Sequence, residues 1–431
     1  MSEPTSNNPT AGRSRWADWL GLNPSTLALL ATILLVTAAT ELWSPLIPAY
    51  IKALREQATA GAAATILMVA AYGSYRDLLE AVNYYAGGAI GGWLNTRRSL
   101  LLFNLLPLLG LGVLAVWASP LAVFAAVPLV FVWDSIAGPS IITVVGSSVP
   151  AERRTMVFSL QAIFRRVARM GAYGVSAAAV WWLGSEAGFR AAAALGGVML
   201  IGAMAMQYRH MRTAERDARV MIDRPREMLA RFDPQLKRLL AADILARWAE
   251  GMPRELIILY CIPILSADRD AGAALYASVL LTIQAATNVA SYLVVGPLAS
   301  RAGMAKKPYI GLTFVFFALF PIALAGLGPI WGIAGLAAAF VAGGLRELGE
   351  PARKAMISEL VEPSVKTQAV GLYWSVRSLA VAPAPIVGGL IWIGVEQLQP
   401  GWGPTAMLCT ASVLGMAGAL WFFARFGKEP G

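Results

Sequence analysis

Runs of about 20 or more apolar residues recur along the whole chain, each long enough to cross a bilayer core of roughly 30 Å as a helix. Such a segment has little choice of structure in lipid. Its backbone polar groups find no water there, so they must bond within the segment, and an α-helix does this one segment at a time. A membrane β-barrel would instead show short segments of alternating hydrophobicity. The composition agrees, with 57% hydrophobic residues, 14% charged residues and a mean hydropathy of +0.61. A soluble protein of 431 residues carries far more charge.

The expected spans cover about 25–52, 66–94, 99–118, 120–147, 155–183 and 187–207, then 237–264, 273–298, 308–328, 330–355, 366–393 and 403–425. The chain thus divides into an N-terminal segment (1–24), a six-helix bundle (25–207), a basic linker (208–236), a second six-helix bundle (237–425) and a tail (426–431). Formal net charge is +10, and much of it sits in "YRHMRTAERDARVMIDRPREMLARFDPQLKR". So basic a stretch can bind nucleic acid. Between two blocks of membrane spans it reads as a cytoplasmic loop, and no nucleic-acid partner is expected. Arg97–Arg98, Arg153–Arg154 and Arg301 with Lys306–Lys307 fall on the same side as that linker. Both termini are therefore expected in the cytoplasm, in a multi-pass protein of the cell (inner) membrane. The start, "MSEPTSNNPTAGRSRWADWL", lacks the charged region, short apolar core and cleavage site of a signal peptide.

The chain resembles itself. Gly92-x-Leu94-x-x-Arg97 returns as Gly296-x-Leu298-x-x-Arg301, an offset of 204 residues. Trp43 and Pro48 return as Trp248 and Pro253 at 205, and Pro139, Thr155, Leu160 and Arg165 return as Pro351, Thr367, Leu372 and Arg377 at 212. Near-constant offsets, in order, mean two parallel six-span repeats. The fold class expected is an all-α membrane protein with twelve transmembrane helices in two pseudo-symmetric six-helix bundles.

From about residue 25 to 425 this pattern resembles the major facilitator superfamily. Its signature loop after span 2, Gly-x-Leu-Ala-Asp-Arg-x-Gly-Arg-Arg, is matched by Gly92, Leu94 and Arg97, and again by Gly296, Leu298, Ala299, Arg301 and Gly303. The resemblance implies a cytoplasmic gate motif at Gly92, Arg97, Gly296 and Arg301. Thr96 and Ser300 stand where the family has the acid that helps latch that gate, which puts the latch in doubt here. The family's antiporter signature in span 5, a Gly-Pro pair, is absent from "GAYG". The resemblance further implies a secondary transporter working by alternating access, antiporter or symporter, most simply as a monomer.

Catalysis and cofactors find no support in the residues. Cys261 and Cys409 lie in apolar segments without metal spacing, and the single histidine, His210, sits in the linker. No phosphate-loop motif points to direct ATP drive, and no nucleophile–base constellation stands out. The expected protein is not an enzyme and carries no cofactor and no metal. Its partners are bilayer lipid, a small-molecule substrate and protons.

The charges within spans carry the functional information. "FRRVARM" puts Arg165, Arg166 and Arg169 into span 5, with Arg165 and Arg377 each ten residues past their threonines, roughly 15 Å deep. A charge at that depth costs about 2.5–3.5 kcal/mol to insert, so it faces a protein interior or a wet cavity. Arg165 and Arg169 share a helix face and repel, and their helix offers no acid between Thr155 and Gly184. Either acids on neighbouring spans or an anionic substrate must answer them, and a span 5–span 10 ion pair to Glu347 or Glu350 is expected. Further charges are Arg76, Asp77 and Glu80 in "YRDLLE", Asp134 in span 4, Arg247, Glu250, Arg254 and Glu255 in "RWAEGMPRE", and Arg346, Glu347 and Glu350 in "LRELGEP". Arg76–Glu80, Arg247–Glu250 and Arg346–Glu350 have the spacing of intrahelical pairs.

The candidate substrate-binding residues are Arg165, Arg169, Arg377, Arg76, Trp43, Trp248, Tyr373 and Trp374, the aromatics serving either as cavity wall or as helix packing. Proton coupling or gating is expected of Asp77, Glu80, Asp134, Arg247, Glu250, Arg346, Glu347 and Glu350. Trp133 is a further mid-depth aromatic, whereas Trp16, Trp19, Trp181, Trp182, Trp402 and Trp421 fall near span ends as interface anchors. "APAPIVGG" is expected to bend span 11. A small organic anion moved with protons is the expected substrate; efflux of hydrophobic or cationic drugs, with the arginines structural, is the alternative.

Overall fold

The computed structural model describes residues 24–57, 61–93, 96–131, 135–136, 151–210, 224–265, 270–299, 306–361 and 366–426. Asp134, Trp133, Pro139, Ser300, Arg301, Trp16 and Trp19 lie outside them. The described residues are helical and contain no strand.

In the first half the helices are α1 (Pro24–Glu41), α2 (Ile47–Gln57), α3 (Ala62–Trp93), α4 (Thr96–Val116), α5 (Pro120–Val130), α6 (Ala151–Leu183) and α7 (Ser185–His210). A short α8 (Pro225–Ala230) ends the linker region. The second half has α9 (Pro234–Arg254), α10 (Ile257–Ile264), α11 (Asp270–Ala299), α12 (Lys307–Leu345), α13 (Glu350–Glu359), α14 (Lys366–Val381), α15 (Ala384–Leu398) and α16 (Gly403–Arg425). Among the described residues, six stretches are long and apolar enough to cross a membrane: Leu30–Arg55, Ser185–Arg209, Ala277–Val294, Lys307–Leu345, Ala369–Leu398 and Gly403–Arg425. Three other long helices, α3, α6 and α9, carry most of the candidate site charges, and those charges lower their hydropathy.

The interruptions within spans have local causes. Pro45, at the start of the turn Ser44–Leu46, separates α1 from α2. Pro253 is the penultimate residue of α9, just ahead of the Glu255–Leu256 break, and Pro383 caps α15 where "APAP" occurs. Residues 346–349 form a turn between α12 and α13. Within α12, Gly332 adopts φ 55° and ψ −129°, so the element is two helices meeting at a reversal. A Cβ at Gly332 would meet nothing within 4 Å, so any substitution cost there is purely conformational. Gly332→Ala is expected to cost about 1–3 kcal/mol of stability, read as an earlier unfolding midpoint in detergent. An unchanged midpoint would mean that the backbone there relaxes freely.

Helices α1, α4, α6 and α7 pack on one another, as do α9, α12, α15 and α16 in the second half. Small residues allow close approach. A Cβ on Gly415 of α16 would stand 2.9 Å from Ala249 of α9 and from Ala318 of α12. Two seams join the halves: α6 against α11, and α3 against α14 and α15. The outer surface is apolar, with Leu121, Val198, Leu293, Val413 and Leu420 exposed, as suits contact with lipid. Trp181, Trp182, Trp402 and Trp421 are exposed near helix ends.

Candidate functional site

A cavity of about 420 Å³ lies where α1, α3, α5, α6, α9, α10, α11, α12 and α14 approach each other. Six arginines line it: Arg76, Arg169, Arg247, Arg254, Arg346 and Arg377. Five acids line it too: Glu41, Asp77, Glu80, Glu250 and Glu255. The rest of the wall is largely apolar, including Phe131, Phe320, Phe340, Ile257 and Leu280.

The charges form three groups. The first joins the two halves of the chain. Arg76 of α3 stands 3.0 Å from Glu255, and Arg254 of α9 stands 2.6 Å from Asp77 of α3 and 3.1 Å from Glu255. Arg76 also lies over the Phe131 ring, 5.2 Å from its centroid. Glu80 accepts a hydrogen bond from the Tyr84 hydroxyl at 2.8 Å.

The second group belongs to the second half. Arg247 contacts Glu250 at 2.6 Å, Glu350 at 3.5 Å and Asp243 at 3.7 Å. Arg353 bonds Asp243 and Glu350, Tyr373 donates to Asp243 at 3.1 Å, and Arg377 lies 3.8 Å from Asp243. Arg346 lies 3.7 Å from Glu250 and stacks over Phe320 at 4.5 Å. Asp243 and Arg353 are almost wholly buried. Charges so deep in a protein persist only when opposite charges and donors answer them, which this network supplies.

The third group surrounds α6. Arg169 pairs with Glu41 of α1 at 2.5 Å, and Tyr173 donates to the same carboxylate at 3.2 Å. Arg166 stands 3.2 Å from Glu347, which also accepts from Tyr292 of α11 at 3.3 Å.

Several expectations change. Of the expected substrate residues, Arg76, Arg169 and Arg377 line the cavity, whereas Arg165 is half-buried and outside the lining. Trp43 is buried against Phe131 at 5.5 Å. Trp248 donates to the Ala380 carbonyl at 2.9 Å, Tyr373 serves Asp243, and Trp374 packs on Tyr84 at 5.3 Å. These four aromatics lie off the lining and pack helix on helix. Among the gating candidates, Asp77, Glu80, Arg247, Glu250 and Arg346 line the cavity, while Glu347 and Glu350 sit behind it.

A span 5–span 10 ion pair exists and Arg166 makes it with Glu347, whereas Arg169 turns to Glu41. Because α6 packs on α1 as well as on α11, arginines on its different faces reach different helices. Arg247–Glu250 forms as an i,i+3 pair. Arg76 reaches across to Glu255 rather than to Glu80 on its own helix. Arg346–Glu350 loses helical spacing, because α12 ends at Leu345 and a turn intervenes. Gly92 is the penultimate residue of α3, Arg97 the second of α4, and Gly296 lies near the end of α11, so the described part of the repeated motif sits at helix ends.

Glu41, Asp243 and Arg353 were not singled out in the sequence. The available signal was simple: Glu41 is the one charge in "LLVTAATELW", and Asp243 the one acid in "LLAADILARW".

No protein-family model matches the sequence, and no curated protein is detectably similar to it. Solved structures are similar in fold. The human organic anion transporter MFSD10 (TETRAN) superposes with a TM-score of 0.68 at 14% identity, covering 93% of this chain and 99% of that one. The nucleoside transporter NupG gives 0.71 at 14% identity, covering 94% and 100%. A POT family transporter in complex with 5-aminolevulinic acid gives 0.67 at 11% identity, covering 92% and 96%. The chain thus has the fold of major facilitator superfamily transporters, with no subfamily indicated.

Proposed function

We propose that this protein is a secondary transporter that carries a small organic anion, together with protons, through a site exposed to each membrane face in turn. The observation that carries the reading is the cavity between the halves, lined by six arginines and five acids. Guanidinium suits carboxylate because it stays charged and donates two parallel hydrogen bonds. Ion pairs that cross between the halves, Arg166–Glu347, Arg76–Glu255 and Arg254–Asp77, suit a device whose halves part and rejoin. Asp77 is the leading proton carrier: its Oδ1 accepts from Arg254, while its buried Oδ2 has no hydrogen-bond partner among the described residues. The proposed frame has twelve spans in two six-helix bundles, joined by the basic 208–236 linker, with linker and termini in the cytoplasm. The fold neighbours bear on transport and leave the cargo open, since their titles name an organic anion transporter, a nucleoside transporter and a transporter bound to 5-aminolevulinic acid.

One observation favours the cation-efflux alternative. Glu80 faces the cavity with its hydrogen bond taken from a tyrosine instead of an arginine, which leaves an acid for a cationic cargo. Proteoliposomes holding the purified chain separate the two readings. A pH gradient is expected to drive accumulation of a labelled aromatic carboxylate, and a protonophore to abolish it. Gradient-driven movement of an organic cation alone would overturn the anion reading.

A further inference from the structure

The six lining arginines are not equivalent. Four hold a carboxylate at hydrogen-bond distance: Arg76 at 3.0 Å, Arg169 at 2.5 Å, Arg247 at 2.6 Å and Arg254 at 2.6 Å. The ion-pair contacts of Arg346 and Arg377 are 3.7 and 3.8 Å, beyond the usual N–H···O range of about 2.7–3.2 Å. The acids they approach are already engaged. Glu250 serves Arg247 at 2.6 Å, and Asp243 serves Arg353 and the Tyr373 hydroxyl.

Arg346 is nevertheless held in place. Its Nε donates to the Gly343 carbonyl at 2.9 Å, and its guanidinium lies over Phe320 at 4.5 Å and Phe317 at 5.4 Å. Stacking fixes the plane of the group and uses none of its donors. The charge count points the same way. Around Asp243, Glu250 and Glu350 stand Arg247, Arg346, Arg353 and Arg377, so one positive charge is left over once the exposed Lys354 is set aside. The lining as a whole, six arginines to five acids, carries the same excess. One bound negative charge neutralises it, while a dianion would leave a new unpaired charge inside the protein. The lining also offers apolar walls: Phe320, on which Arg346 stacks, with Phe340, Ile257, Ile258, Leu280 and Leu281 elsewhere around the cavity. A volume of about 420 Å³ is of the size that takes a small ligand.

We infer that Arg346 and Arg377, rather than the arginines of α6, receive the substrate's anionic group, and that the substrate is a monovalent carboxylate with an apolar or aromatic body. This rests on the anion-transport reading and names its site and its substrate class. The six-against-five lining gives Arg169 to Glu41 and gives Arg76 and Arg254 to the pairs that join the halves, leaving the ligand to the second half.

The test measures binding to the purified full chain in detergent, by tryptophan fluorescence and thermal midpoint, with benzoate, phthalate and benzylamine as probes. Benzoate is expected to bind, phthalate at least tenfold more weakly, and benzylamine not at all. Arg346→Gln and Arg377→Gln are each expected to weaken benzoate at least tenfold. Arg346→Lys and Arg377→Lys, which keep the charge and lose the planar fork, are expected to weaken it less. Benzoate binding that survives the glutamine variants, or that is lost through Arg169→Gln instead, overturns this inference and leaves anion transport standing. So does phthalate binding more tightly than benzoate, a result that needs no variant to fold. Binding of benzylamine alone, or of none of the three, overturns both readings.

Discussion

Asp243→Asn is expected to destabilise the protein by about 3–5 kcal/mol, the usual cost of removing one partner from a buried ion pair. The side chain is fully buried and is contacted by Arg353, by the Tyr373 hydroxyl at 3.1 Å, by Arg247 at 3.7 Å and by Arg377 at 3.8 Å. Asparagine keeps the volume and one acceptor and removes the charge, so the arginines lose a shared counter-ion. Arg353, itself almost wholly buried, is the worst affected, because no water can take the place of the carboxylate. The expected reading is a much lower unfolding midpoint in detergent and a poor yield of folded protein. A double-mutant cycle refines it. Arg353→Met alone should cost a similar amount, while Asp243→Asn combined with Arg353→Met should cost clearly less than the two singles added. Strict additivity, or a wild-type midpoint for Asp243→Asn, would show that the pair is not coupled as described.

Charge reversal at Arg254 should have the largest effect on transport. Arg254 lies 2.6 Å from Asp77 on α3 and 3.1 Å from Glu255 on the break between α9 and α10. In Arg254→Glu a third carboxylate joins those two, and Arg76 alone remains to answer them. Like charges placed together at an interface cost several kcal/mol. A penalty of only about 1.4 kcal/mol on one conformation already shifts a rate or an equilibrium about tenfold. Initial uptake by proteoliposomes, normalised to inserted protein, is therefore expected to fall at least tenfold. Exchanging the charges, as Asp77→Arg with Arg254→Asp, should recover part of the loss, since the attraction between α3 and α9 returns. Recovery would not be expected if Arg254 only filled space. Uptake at the wild-type rate in the single reversal would mean that this contact plays no part in the transport cycle.

Sequence reading fared unevenly across these residues, and distance along the chain explains the pattern. Arg247–Glu250 was legible because the partners are three residues apart on one helix, a spacing fixed by the helix itself. Arg76–Glu80 had equally good spacing, yet Glu255, on a helix from the other half, takes the arginine. Arg346–Glu350 failed for another reason: the chain leaves the helix between them. The bend expected from "APAPIVGG" appears at Ala382–Pro383, where proline removes a backbone donor and its ring crowds the preceding turn. Glu41 was a single acid in an apolar run, and only its contact with Arg169 gives it meaning.

What the sequence determined by itself was the helical membrane character of the chain, and which helices carry charge. Both are local matters, set by the length of apolar runs and by the demand of lipid that backbone groups bond within their own segment. What only the tertiary structure decided was which acid meets which arginine, and hence which guanidinium groups are left for a ligand. Asp243 and Arg353 are 110 residues apart, and Asp77 and Arg254 are 177 apart. Packed helix axes stand about 8–10 Å apart, and an arginine side chain can reach across that gap in several directions. The choice among reachable acids is made by the rotation and depth of neighbouring helices, which no local pattern encodes.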